Sequence, residues 1–168
     1  MNKEQGTEQF IEIAKASVRI KSVLKPSPLH CSKSLSIENT NVYYKMENLN
    51  PTGSFKIRGA ANKILSMSEK DRAKGVVTAS SGNHGLGFSY MCNYANCSGT
   101  VFVPTTVSEA KYQGILSFGV DIIKTEGDPI NGEIASRKYA ADNEKSFVSP
   151  YNDVQIVGDR FVFQSEVL

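Results

Sequence analysis

Lys56 is the side chain of this sequence that is best placed for covalent chemistry. It stands in the segment 53–60, Gly-Ser-Phe-Lys-Ile-Arg-Gly-Ala, close to the predicted start of a helix. The positive end of a helix dipole disfavours an ammonium ion, and a neutral amine is the form that attacks a carbonyl carbon. The position is therefore compatible with Schiff-base chemistry but does not by itself establish it. For any single lysine taken alone, a solvated surface residue is the alternative.

A second segment, 80–85, has the composition of an anion-binding loop. It directly follows a predicted strand, and its small residues let backbone N–H groups approach a negative charge. The helix that follows points its positive end at the same place. An ordinary turn is the alternative. The candidate donors in this loop are Ser80, Ser81, Gly82, Asn83 and His84.

Regular elements must position these two segments. Apolar residues recur at helical spacing over 10–24, and residues 41–46 are β-branched and aromatic, which predicts a helix and then a strand. A further helix is predicted to start near Ser54. Ser108 and Asp128 are typical helix starts, and Gly119 a helix stop. Short apolar strands are predicted at 76–78, 100–103, 120–123 and 147–148.

This alternation of strands and helices predicts the fold class. Parallel strands need crossover connections, and helices are the usual ones. We therefore expect an α/β protein with an open, parallel, twisted sheet that has helices on both faces. In such a sheet ligands bind beyond the carboxyl ends of the strands, which is where the segment 80–85 lies.

Composition excludes several classes of function. The chain has 168 residues and a net charge of +2, with its basic residues scattered, so no nucleic-acid partner is expected. No apolar run is long enough for a signal peptide or a membrane span, which predicts a cytoplasmic protein. Cys31, Cys92 and Cys97 lack the spacing of a metal or redox motif, so we expect no metal and interpret them as buried core residues.

Two stretches resemble a known family. Residues 45–60 are similar to the cofactor-lysine segment of the serine and threonine dehydratases, and residues 80–85 are similar to the substrate-carboxylate loop of the same enzymes. Together they are typical of fold-type-II enzymes that use pyridoxal 5'-phosphate (PLP), in the branch of threonine dehydratase and serine racemase. The resemblance extends over residues 10–158 and implies the tryptophan synthase beta-like fold.

The resemblance also implies roles for individual residues. Lys56 would hold the cofactor, Phe55 would pack against its pyridine ring, and the Asn83 amide would bind its 3-hydroxyl oxygen. Lys56 would then act as a general base at the substrate Cα. The implied reaction converts L-serine or L-threonine to a 2-oxo acid and ammonia. Ser80, Ser81, Gly82, Asn83 and His84 would bind the carboxylate of this small amino-acid substrate.

Ser81 keeps a second reaction open. In eukaryotic serine racemases a serine at the matching position acts as the acid or base on the face of Cα opposite the lysine, whereas dehydratases often have alanine there. A serine racemase, or an enzyme with both activities, is therefore an alternative. A truncated, non-catalytic partner of a full-length enzyme is another. A generic nucleotide-binding domain ranks last because no glycine-rich dinucleotide motif follows any strand.

The resemblance divides the chain into three parts. Residues 1–50 would belong to the large PLP domain, 51–150 would form the small α/β domain with the lysine and the carboxylate loop, and 151–168 would begin the return to the large domain. The sequence after Gly158 differs from the family pattern, which predicts an alternative terminus or a fragment. The family's glycine-rich phosphate loop has no counterpart here, so we expect this chain alone to bind PLP weakly. The full-length form is expected to be a homodimer.

Overall fold

The structure is a computed structural model that describes residues 3–151, with side chains from Ile11 onward. The divergent terminus predicted after Gly158 lies outside the described residues. The helices are α1 (Lys3–Lys21), α2 (Lys56–Ser66), α3 (Glu69–Lys74), α4 (Asn83–Tyr94), α5 (Glu109–Leu116) and α6 (Pro129–Asp142). The strands are β1 (Leu29–Cys31), β2 (Tyr43–Lys45), β3 (Val76–Ala79), β4 (Gly99–Pro104), β5 (Asp121–Thr125) and β6 (Ser146–Phe147).

Four strands form one parallel sheet in the order β5-β4-β3-β6. The central strands β3 and β4 are buried almost throughout, as expected for parallel strands covered on both faces. The predicted α/β class with a parallel sheet is confirmed. The four predicted strands match β3 to β6 to within one or two residues at each end.

Successive residues of the central strands face two separate cores, because side chains alternate along a strand. Val76 and Val101 contribute to the larger core, which also holds Phe88 of α4 and Ile57 of α2. Their neighbours on the other face, Val77 and Phe102, pack with Ala140 of α6. Helices therefore cover both faces of the sheet, and α4 and α2 lie together on one of them.

The N-terminal segment packs on the same core. α1 begins at Lys3, seven residues before the predicted start, and ends ahead of Pro26. Ala16 and Ile20 are buried beside α2, whereas Val18, which the apolar pattern included, is 73% exposed. The predicted strand at 41–46 is β2, and it pairs antiparallel with β1, which the sequence analysis missed.

Only one of the three cysteines is fully buried. Cys92 is buried as predicted, but Cys31 and Cys97 are only partly buried, so the prediction of three buried cysteines is wrong for these two. No group of metal-ligating side chains occurs among the described residues. Within that same part of the chain, no helix is long and apolar enough to cross a membrane.

Candidate active site

Lys56 is the first residue of α2, as the sequence predicted to within two residues. The chain reaches it through a turn at Gly53, whose φ of +71° is strained for any residue with a side chain. The Lys56 Nζ donates a hydrogen bond to the Pro150 carbonyl oxygen at 3.4 Å. It also lies 5.4 Å from the ring centroids of both Phe55 and Tyr151. The amine is therefore half-buried between two aromatic rings.

A buried ion pair holds the start of this helix. The Arg58 guanidinium donates to both carboxylate oxygens of Glu47, at 2.8 and 3.0 Å. Glu47 also accepts hydrogen bonds from Ser27 and Asn50. Burial raises the pKa of Glu47, but the hydrogen bonds from Arg58 and Ser27 outweigh it and leave this pKa lowered. Because Arg58 lies two residues after Lys56, the pair fixes where the reactive amine emerges.

The predicted anion loop joins β3 to α4. The Ser80 N–H donates to the Phe102 carbonyl oxygen at 3.0 Å, which continues the sheet to the loop, and α4 then begins at Asn83. The first N–H groups of a helix have no acceptor inside it, so they are free to bind an anion. Asn83 is exposed, and Ser81 and Gly82 are half-buried, so a ligand can reach this end of the helix.

Two glycines, Gly85 and Gly87, allow the loop and α4 to pack closely on their neighbours. A Cβ at Gly85 would collide with the Ser80 carbonyl oxygen, so glycine permits the tight entry into α4. A Cβ at Gly87 would lie 2.9 Å from the Ile57 Cα and 3.2 Å from the Lys56 carbonyl carbon. Glycine at this position therefore allows α4 to touch the backbone of α2 beside Lys56.

His84 is buried beneath the loop, with 4% of its surface exposed. Its Nε2 lies 3.2 Å from the Thr78 Oγ1, and the Thr78 hydroxyl donates to the Val148 carbonyl oxygen at 2.8 Å. Because that hydroxyl has one hydrogen, Nε2 must be the donor to Thr78, which fixes a neutral imidazole protonated at Nε2. Burial and, less strongly, the charge of Lys56 lower the pKa of His84 to about 4.

This pKa predicts how stability depends on pH. The unfolded chain protonates His84 near pH 6.5 and the folded chain only near pH 4, so folding stability falls as pH falls from 6.5 to 4. The loss reaches roughly 3 kcal/mol for this residue. His84→Asn is expected to remove this part of the pH dependence in urea unfolding. The control His30→Asn, at an exposed position, should retain it. Equal slopes in the two variants would contradict the assignment.

The sequence analysis missed several residues of this site. It gave no role to Pro150 or Tyr151, although both contact Lys56. It gave no role to Thr78, which links His84 to Val148. These contacts join segments far apart in the chain, so no local pattern signals them.

The arrangement defines a class of protein. An α/β fold presents a lysine amine between aromatic rings, next to a helix N-terminus suited to a carboxylate. No described carboxylate pairs with Lys56. This is the arrangement of an enzyme that uses a lysine on a carbonyl compound and holds a second, anionic group nearby.

Comparisons with known proteins identify the family. A family model described as pyridoxal-phosphate dependent enzyme matches residues 20–161, so the chain belongs to that family, whose cofactor is PLP. The biosynthetic L-threonine dehydratase of Lactococcus lactis is 34% identical over 160 residues, which cover 93% of this chain and 38% of that protein.

Solved structures of PLP-dependent enzymes have the same fold as this chain. The processed form of threonine deaminase isoform 2 from Solanum lycopersicum superposes with a TM-score of 0.90 at 25% identity, over 96% of this chain and 45% of the other. Maize serine racemase has a TM-score of 0.88 at 25% identity, over 94% and 48%. The chain is thus similar to threonine dehydratases and to a serine racemase, and it spans less than half the length of these relatives, in their N-terminal part.

The residues present fit the ring of PLP. Lys56 offers an amine without a carboxylate partner among the described residues, Phe55 offers a ring that is 42% exposed, and Asn83 offers an exposed amide. These are the groups needed to hold a carbonyl carbon, the face of a planar ring and a phenolic oxygen. When bound, PLP supplies an electron sink for the negative charge that develops at the substrate Cα.

Proposed function

We propose that the full-length form of this protein deaminates L-serine or L-threonine to a 2-oxo acid and ammonia. The observation that carries the proposal is the close packing of α4 on α2 at Gly87, which brings the helix that follows the anion loop against the backbone of Lys56. The family membership supports the chemistry, and the threonine dehydratase of Lactococcus lactis supports the substrate class.

The loop would bind and orient the substrate. Its backbone N–H groups and the hydroxyls of Ser80 and Ser81 are donors suited to a carboxylate. The His84 side chain is buried and bonded to Thr78, so we assign His84 a backbone contact with the carboxylate and no proton transfer. Gly82 has open space where a Cβ would stand, which leaves room for the ligand.

Lys56 would move the proton. With PLP held by this site, the Lys56 Nζ would take the proton from the substrate Cα. Departure of the β-hydroxyl then leads to the 2-oxo acid and ammonia. Phe55 would support one face of the ring and Asn83 its hydroxyl oxygen. The aromatic rings of Phe55 and Tyr151 lie beside Nζ and cover part of the amine.

Incubation of the full-length form with PLP and each amino acid tests the proposal. Pyruvate is expected from L-serine and 2-oxobutanoate from L-threonine, each with an equal amount of ammonia. Release of neither acid would refute the deaminase.

The same L-serine reaction, followed on a chiral column, tests the racemase alternative, which a half-buried Ser81 at the loop keeps open. Absence of D-serine would exclude it, and Ser81→Ala should abolish D-serine while leaving pyruvate if Ser81 is the second base.

We also make proposals on the domain division, oligomeric state and location of the whole protein. We infer a division into residues 1–50 of the large domain, 51–150 of the small domain and 151–168 returning to the large domain. On the basis of the family resemblance we also propose a homodimer, and we propose that it is located in the cytoplasm.

A further inference from the structure

Cys92 and Cys97 stand at the two ends of the turn that closes α4. The Cys97 N–H donates to the Cys92 carbonyl oxygen at 3.0 Å, and the Asn96 N–H donates to the Asn93 carbonyl oxygen at 3.2 Å. Between them Asn96 has a φ of +49°. This pair of bonds around a left-handed residue is the Schellman motif, in which the first and last residues usually make an apolar side-chain contact. Here both residues of that contact are thiols.

The two thiols have different surroundings. Cys92 is 1% exposed, and its sulfur lies 2.7 Å from where a Cβ of Gly99 would stand, so it is held in the core. Cys97 is only partly buried. Both line an open cavity of about 290 Å³, together with Ser98 and Phe118. An incoming disulfide compound therefore has room beside Cys97, whereas Cys92 is shielded.

The electrostatics also distinguish them. A hydrogen bond from Cys92 lowers the pKa of Cys97; burial opposes this, and the positive charge of Arg72 adds to it. The same bond and burial raise the pKa of Cys92. Cys97 is thus the better nucleophile, since the thiolate is the reactive form, and Cys92 is a thiol within reach of it.

We propose that Cys92 and Cys97 are a modification site, a dithiol that low-molecular-weight disulfides such as oxidised glutathione convert to an internal disulfide. The Cys97 thiolate attacks one sulfur of oxidised glutathione, whose disulfide bond breaks and releases one glutathione. Cys92 then loses its proton, attacks the Cys97 sulfur and releases the second glutathione. Two protein thiols are oxidised, one small disulfide is reduced, and the two thiol protons pass to the two glutathiones.

The site is independent of the proposed deaminase. Cys92 and Cys97 lie at the opposite end of α4 from the anion loop, and neither contacts Lys56 or its aromatic neighbours. The reaction needs neither PLP nor an amino-acid substrate. Its outcome can therefore be measured on the 168-residue chain whether or not that chain is catalytically active.

The test is to incubate the reduced chain with oxidised glutathione, alkylate the remaining thiols and determine masses of the intact chain and its peptides. The expected product has lost two alkylatable thiols, carries no glutathione and contains a peptide in which Cys92 is linked to Cys97. Cys31, which is also partly buried, is the internal control and should remain alkylatable. A wild-type chain that stops at a glutathione adduct, or does not react, would overturn the proposal.

Two variants assign the order of attack. Cys92→Ala is expected to accumulate glutathione on Cys97, because the second thiol is missing. Cys97→Ser is expected to leave Cys92 unmodified in the folded chain. Glutathione on Cys92 of a folded Cys97→Ser chain would reverse the assignment. Circular dichroism establishes whether each variant is folded. If Cys92→Ala does not fold, the variant Cys31→Ser still tests the proposal. It should give the same peptide with Cys92 linked to Cys97 as the wild type.

Discussion

Replacement of Lys56 by alanine is expected to lower the rate of 2-oxo acid formation by the full-length form by about 10²- to 10⁴-fold or more. A positioned general base contributes rate factors of this size, and the same amine would also hold the cofactor. The variant should also lose the visible absorbance of lysine-bound PLP. In the wild type, borohydride reduction should fix the cofactor on the peptide that contains Lys56.

Lys70→Ala is the matched control, since Lys70 is an exposed lysine on α3, the next helix along the chain. It should retain both the activity and the absorbance band. Retained ammonia release in Lys56→Ala would remove this lysine from its proposed role. Labelling of a different lysine by borohydride would do the same, even if activity were lost, and would separate a catalytic role from mere misfolding.

The second large effect concerns the buried ion pair between Glu47 and Arg58, which lies two residues after Lys56. Arg58→Ala is expected to lower the free energy of unfolding by about 3–5 kcal/mol, because it leaves the Glu47 carboxylate buried without its cation. Arg58 is 1% exposed and Glu47 11%, so water cannot replace the lost partner. Urea unfolding of the wild type and the variant, followed by circular dichroism, measures the difference.

Arg137→Ala provides the control for a surface pair. Arg137 contacts Glu133 at 2.8 Å, but these side chains are 50% and 35% exposed, so the expected loss of unfolding free energy is about 0.5 kcal/mol or less.

The double variant Glu47→Gln/Arg58→Met should lose less unfolding free energy than the two single variants together, since neither charge remains buried alone. A loss below about 1 kcal/mol in Arg58→Ala would show that the pair does not stabilise the start of α2.

Much of the fold followed from local patterns. The strands β3 to β6 are short apolar runs between helix-length segments, and both faces of the central strands are buried, so their sequences carry a strong signal. β1 was missed because it has three residues, two of them exposed, and is defined only by pairing with β2. α3 was also missed, because it has six residues and none is buried.

The cysteines show the same limit at a smaller scale. Their spacing along the chain matches no redox motif, and the sequence analysis took them for core residues. The left-handed turn at Asn96 reverses the chain and returns Cys97 to Cys92. That reversal depends on how α4 ends, which residue types alone do not specify.

The sequence by itself determined the family of this protein and singled out two segments as candidates for its chemistry, the lysine at residue 56 and the loop at 80–85. Each is a contiguous run of residues, so its character is local. Only the tertiary structure decided what each segment touches: Pro150 and Tyr151 beside the amine, Thr78 beneath the loop, and Gly87 between the two helices. Those contacts arise when α4 and α2 pack on one face of the parallel sheet, because residues distant in the chain then become neighbours.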